Sequence, residues 1–197
     1  TSMYTPIVYG PLKHLNFISD HLGLNISFNK VNSVADSKDG KINVIDNFKN
    51  PPAISFGTLS KEVGNLAFES IKNAVNDLNN NKIDVLITAP INKEAIHSDN
   101  FKFMGHTDYI NSRVDGEATM MMVADNLRVA LLTEHIPVSD VSNSISRELV
   151  VEKTKLLNST LMRDFQIEKP KMAILSIDPH AGDGGVIADN DKKIMLP

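Results

Sequence analysis

The chain has 197 residues, 42% of them hydrophobic and 22% charged, an ordinary globular composition with enough apolar material for a sizeable core. Its net charge of −4 and its scattered 20 Lys and Arg leave no basic footprint for nucleic acid. The absence of cysteine excludes disulfides, thiol nucleophiles and Cys-based zinc or iron–sulfur sites, so any metal must be held by His, Asp or Glu.

In chain order the pattern alternates strand and helix, which argues for a parallel-rich α/β layer architecture. TPIVYG reads as a strand, followed by an apolar-periodic helical stretch to Leu22. NISFNKV and KINVID read as strands around the polar turn NSVADSKDG. Val63, Leu66, Ala67, Ile71, Ala74, Val75 and Leu78 then recur at three and four residues, which predicts an amphipathic helix over 60–80. DVLITAP, short, apolar and β-branched, is expected to be a central buried strand stopped by Pro90. TMMMVAD and LRVALLTEH read as adjacent strands joined at Asp125 and Asn126. A helix is expected from about Ser146 to Phe165, and KMAILSID as the last strand. No repeat or linker marks a boundary, so one α/β unit over 1–197 is expected. No apolar run reaches the roughly 18 residues of a membrane span, and TSMYTPIVYG lacks the basic start of a signal peptide, so a cytoplasmic location is expected.

The histidines carry the functional signal. His14, His21 and His97 lie among polar neighbours in or beside helical stretches and are expected at the surface. His135 ends LRVALLTEH, His180 follows KMAILSID by one proline, and His106 sits in FMGHTDYI after DVLITAP and a short helix. Ligands of open α/β sheets bind beyond the carboxyl ends of strands. His135 and His180 are therefore the candidate metal pair. A catalytic zinc site needs three protein ligands, and Glu134, Asp178, Asp183 or another chain are the open choices for the third. In LSIDPHAGDGGVIADND, three glycines behind His180 permit a tight turn or close approach to an anion.

GHTD offers different chemistry, since Gly105 permits close approach and His106 with Thr107 presents an imidazole beside a hydroxyl, suited to a phosphate or substrate hydroxyl. Thr107 is equally readable as a helix N-cap. Lys93 is a candidate phosphate counter-charge, and Lys93 and Asp108 are open choices for a general base. HAGDGG does not fit G-x-G-x-x-G, DNDKK lacks the pattern of a calcium loop, and no G-x-S-x-G, Walker A or H-E-x-x-H occurs.

Three segments taken together, TAPINKEAI...FMGHTDYI, VALLTEHIPVSDV and LSIDPHAGDGGVIADND, resemble the 4-hydroxythreonine-4-phosphate dehydrogenases of pyridoxal phosphate biosynthesis, in that family's order. The resemblance implies a three-layer α/β/α fold similar to the isocitrate and isopropylmalate dehydrogenases, and a homodimer with its site near the interface. It implies NAD- or NADP-dependent oxidation of 4-phosphohydroxy-L-threonine to 2-amino-3-oxo-4-phosphohydroxybutanoate, which decarboxylates to 3-amino-2-oxopropyl phosphate. A divalent metal such as zinc, magnesium or cobalt would assist. By position, His135 and His180 match two of the family's metal ligands, and His106 with Thr107 its substrate-binding pair. Glu134 stands where Thr or Ser is usual, Asp178 where Asn is usual, and Asp108 and Asp183 where Glu is common. The family's opening TPGDPAGIG-like segment and its third metal histidine do not appear, so the chain is expected to be the central portion of such a protein. The alternatives are a dehydrogenase of threonate or erythronate phosphate and a non-catalytic module that binds a phosphorylated ligand.

Overall fold

The computed structural model describes residues 3–195, which mix helices and strands in an α/β arrangement. The chain divides into two compact units, Thr1–Glu117 and Ala118–Pro197.

In the first unit, β1 (Ile7–Tyr9), β2 (Phe28–Val31) and β3 (Ile42–Ile45) form a parallel sheet in the order β1-β3-β2. The register pairs Ile7 with Asn43 and Phe28 with Ile42. Helix α1 (Leu12–His21) connects β1 to the β2 segment, the crossover that a parallel pair requires. The central strand carries an apparent contradiction: Asn43 is fully buried. Its amide is satisfied, because Oδ1 accepts from Asn29 Nδ2 at 2.7 Å and the Lys38 N–H at 2.9 Å, while Nδ2 donates to the Lys38 carbonyl at 3.0 Å. A paired buried amide pins the surrounding loop to the sheet instead of destabilising it.

Helix α2 (Lys61–Asn79) begins where the periodicity predicts, with the Ser60 hydroxyl accepting from the Val63 N–H. Its apolar face supplies Phe68, Ile71 and Val75 to a core that also contains Ile96, Phe101 and Tyr109. Two short helices, α3 (Lys93–Ile96) and α4 (His106–Asn111), deliver Ile96 and Tyr109 to that core.

The second unit contains the hairpin β4 (Met121–Ala124) and β5 (Leu127–Ala130), turning at Asp125 and Asn126 as expected. A one-turn helix, α5 (Val141–Ser144), precedes α6 (Arg147–Arg163). Ser146 caps α6 by accepting from the Leu149 N–H at 3.2 Å, and Val150 and Leu161 are its buried residues.

Two expected strands are absent among the described residues. DVLITAP and KMAILSID form no ladder, with Ile87 89% and Leu175 84% exposed. β-Propensity measures how well a residue suits a pleated, partnered surface, and neither segment pairs its backbone with a strand. The third correction concerns His14, which is half-buried, with Nε2 2.7 Å from the Pro52 carbonyl oxygen. The hydrogen bond, rather than solvent, satisfies that ring.

Candidate functional site

The first unit has a solvent-open cavity of about 930 Å³ between β1, one face of α2 and the segment 82–91. Ile7 and Tyr9 line it from the strand, Ile71 and Ala74 from the helix, Leu86 from the segment, and His106 from the start of α4. The walls are mostly apolar, with a few polar groups converging, the usual make-up of a small-molecule site.

The core fixes where His106 stands. Tyr109, on the next turn of α4, is buried edge-on against Phe68 and Phe103, with ring centroids 5.5 Å and 5.2 Å apart, so α4 is anchored by aromatic packing. Gly105, not Thr107, is the N-cap of α4. The backbone already turns into the helix at His106, and the Asp108 carboxylate accepts the Met104 N–H at 3.1 Å ahead of the first turn. Thr107 is therefore a half-buried helical residue whose hydroxyl is not committed to capping.

His106 Nε2 is buried and has no hydrogen-bond partner among the described residues. Desolvation holds the imidazole pKa below its ordinary value of 6.5, so the ring is neutral at pH 7 with one donor and one acceptor nitrogen. A buried polar atom left unpaired costs free energy, and a ligand that pairs it recovers that cost. Lys93 is exposed and Asp108 is occupied by capping, and neither lines the cavity.

A polar network at the same cavity escaped sequence reasoning. The Tyr9 hydroxyl donates to Asp77 Oδ2 at 3.0 Å, and Lys82 Nζ lies 3.0 Å from the other oxygen of that carboxylate. Burial, with Asp77 alongside, pushes the Tyr9 pKa far above the usual phenol range, so Tyr9 remains a donor. The network ties the end of β1 to the end of α2. Tyr9 and Asp77 are 68 residues apart, too distant for spacing to reveal.

The second unit holds His135 and His180. Strand β5 ends at Ala130, so His135 lies beyond it in an irregular segment, exposed and with φ 56°. His180 is exposed in the tight turn Pro179–Gly185, in which residues 180–184 all have left-handed backbone angles. Neither therefore sits directly at a strand end. Both rings are free nitrogen donors, which suits a divalent metal, but among the described residues no three His, Asp or Glu side chains gather into a metal-binding group. Asp178 is engaged elsewhere: it accepts from the backbone N–H and the side-chain amide of Asn190 at 3.2 Å and 3.1 Å. Glu134 Oε2 is buried without a hydrogen-bond partner among the described residues.

A family model described as pyridoxal phosphate biosynthetic protein PdxA matches residues 2–197. A 4-hydroxythreonine-4-phosphate dehydrogenase of Bacteroides thetaiotaomicron is 34% identical over 98% of this chain and 54% of its own length. A D-threonate 4-phosphate dehydrogenase of Cupriavidus necator is 33% identical over 95% of this chain and 57% of its own. The crystal structure of a 4-hydroxythreonine-4-phosphate dehydrogenase from Burkholderia phymatum superimposes with a TM-score of 0.81 at 32% identity, covering all of this chain and 60% of that one. The chain thus spans little more than half the length of the curated relatives it matches.

Proposed function

The chain belongs to the PdxA family of pyridoxal phosphate biosynthetic proteins, and on that premise we propose that it is the central part of an NAD- or NADP-dependent dehydrogenase of 4-phosphohydroxy-L-threonine. The product, 2-amino-3-oxo-4-phosphohydroxybutanoate, would decarboxylate to 3-amino-2-oxopropyl phosphate. The proposal extends to a three-layer α/β/α fold and a cytoplasmic homodimer with its site near the interface.

The observation that carries the reading at the site is His106, which lines a cavity of about 930 Å³ and keeps its Nε2 buried without a hydrogen-bond partner among the described residues. A small polar substrate pairs that nitrogen, and Thr107 offers a hydroxyl one residue on. His106 and Thr107 bind and orient the phosphorylated hydroxy acid. His135 and His180 are the proposed nitrogen ligands of a divalent metal. Among the described residues no third His, Asp or Glu joins them in a metal-binding group. When bound, a divalent metal would supply Lewis-acid stabilisation of charge on oxygen and a nicotinamide would serve as hydride acceptor.

A second substrate has a specific observation in its favour, the similarity to the D-threonate 4-phosphate dehydrogenase. The test is to compare kcat/KM of the full-length protein for 4-phosphohydroxy-L-threonine and D-threonate 4-phosphate, with His106→Ala alongside. A higher value for the amino acid, falling by at least about tenfold in His106→Ala, supports the proposal. A higher value for D-threonate 4-phosphate transfers the assignment to that substrate. An unaffected His106→Ala variant removes the histidine from the site.

A further inference from the structure

Asp191 is 3% exposed. One carboxylate oxygen accepts the Ile177 N–H at 3.0 Å and the other accepts the Asp178 N–H at 2.9 Å. Asp178 answers by accepting from both the backbone N–H and the side-chain amide of Asn190. Two acids, each bonded to backbone at the opposite end of the loop, therefore close residues 178–190 into a staple.

Between the two ends, five consecutive residues, 180–184, have positive φ, among them the non-glycines His180, Ala181 and Asp183. Such angles are unfavourable for an L-residue and persist only where the surroundings over-determine them. Gly182 meets the same restraint from within: a Cβ there would collide with the Ala188 carbonyl oxygen, while the Gly182 carbonyl accepts the Ile187 N–H at 3.1 Å. The loop also carries its own backbone bonds, Ala181 N–H to the Asp178 carbonyl at 3.1 Å and Val186 N–H to the Asp183 carbonyl at 3.2 Å, and the staple adds the contacts that close its two ends.

We infer that Asp191 is a positioning residue for His180: it does not touch the ligand, and it fixes the backbone on which the imidazole is presented. The inference rests on the reading of His180 as a metal ligand and adds the group that holds it in place.

The test uses the full-length protein with Asp191→Asn, which retains one acceptor oxygen, Asp191→Ala, which retains none, and His180→Ala as the reference. Two quantities are read: cobalt(II) affinity by titration, and amide exchange at residues 177–185. Outer-shell partners of metal ligands characteristically change affinity by roughly 10- to 100-fold. The expected result is a loss in that range for Asp191→Ala, a smaller loss for Asp191→Asn, and faster exchange in the loop in the same order. Unfolding midpoints identify any variant that is globally unstable, and Asn190→Ala, which removes only a side-chain contact to Asp178, then serves in its place with the same expectation at smaller size. Unchanged cobalt affinity in the Asp191 variants, with His180→Ala impaired, overturns the positioning role alone. Unchanged affinity in His180→Ala overturns the ligand reading and the inference together. Unchanged loop exchange in Asp191→Ala shows that the staple does not order the loop and also overturns the inference.

Discussion

Gly64 lies inside α2, where replacing glycine by alanine would ordinarily stabilise a helix by about 1 kcal/mol. The packing reverses that expectation. A Cβ at Gly64 would collide with the carbonyl group of Ala95 and approach the Ile96 nitrogen to 2.8 Å. These are backbone atoms of α3, so no side-chain rotation relieves the contact. Nor can α3 retreat freely, because Ile96 is buried in the aromatic core. Overpacking of this kind costs roughly 1–3 kcal/mol, and rigid backbone on one side places Gly64→Ala at the upper end. Subtracting the propensity gain leaves a net loss of about 2 kcal/mol. For a chain of this size that corresponds to a fall in Tm of about 4–8 °C. Urea unfolding followed by circular dichroism should show a lower midpoint, with faster amide exchange in residues 61–79. A midpoint equal to or above that of the parent protein would refute the close-packing argument.

His106 should titrate below 6.5 in the free protein by NMR, because desolvation disfavours the imidazolium. The unfolded chain then holds more protons than the folded one between that depressed midpoint and about 6.5, so this group's contribution to stability is complete above the window and is lost as pH falls through it. A bound phosphate monoester should raise the midpoint, and a free-state value at or above 6.5 would contradict the buried placement. Tyr9→Phe removes the hydrogen bond to Asp77 but leaves Lys82 beside the carboxylate; a loss of about 1 kcal/mol in chemical denaturation is expected, and no change would show the bond to be dispensable. Gly182→Ala places a Cβ at φ 78° against the Ala188 carbonyl, so exchange at residues 180–187 should accelerate while α2 is unaffected. Unaltered protection there would argue against the tight turn.

The parts of the fold legible in the sequence are those set by local spacing. Helix α2 was written in the three-and-four recurrence from Val63 to Leu78 and in Ser60, whose hydroxyl caps it. The hairpin was written in apolar runs separated by Asp125 and Asn126. DVLITAP and KMAILSID were misread because apolar, β-branched composition specifies a strand only when another strand lies alongside, and partner choice is not a local property. His106 was visible through its Gly-His-Thr setting, but its place as the first helical residue was not, since a capping threonine and a capping glycine are both compatible with those letters. The Asp191 staple was invisible for a different reason. It joins Asp191 to backbone N–H groups 13 and 14 residues away, and backbone donors carry no sequence signature.

The central claim is that this chain forms part of an oxidoreductase acting on a phosphorylated hydroxy amino acid. The most direct measurement is NADH or NADPH formation by the full-length protein with 4-phosphohydroxy-L-threonine, after chelation and then after re-addition of zinc, magnesium or cobalt. The account predicts reduction of the nicotinamide that is lost on chelation, restored by metal, and lost again in His135→Ala and His180→Ala. Saturable binding of the substrate with no nicotinamide reduction under any metal would contradict it and leave a phosphate-ligand binding protein.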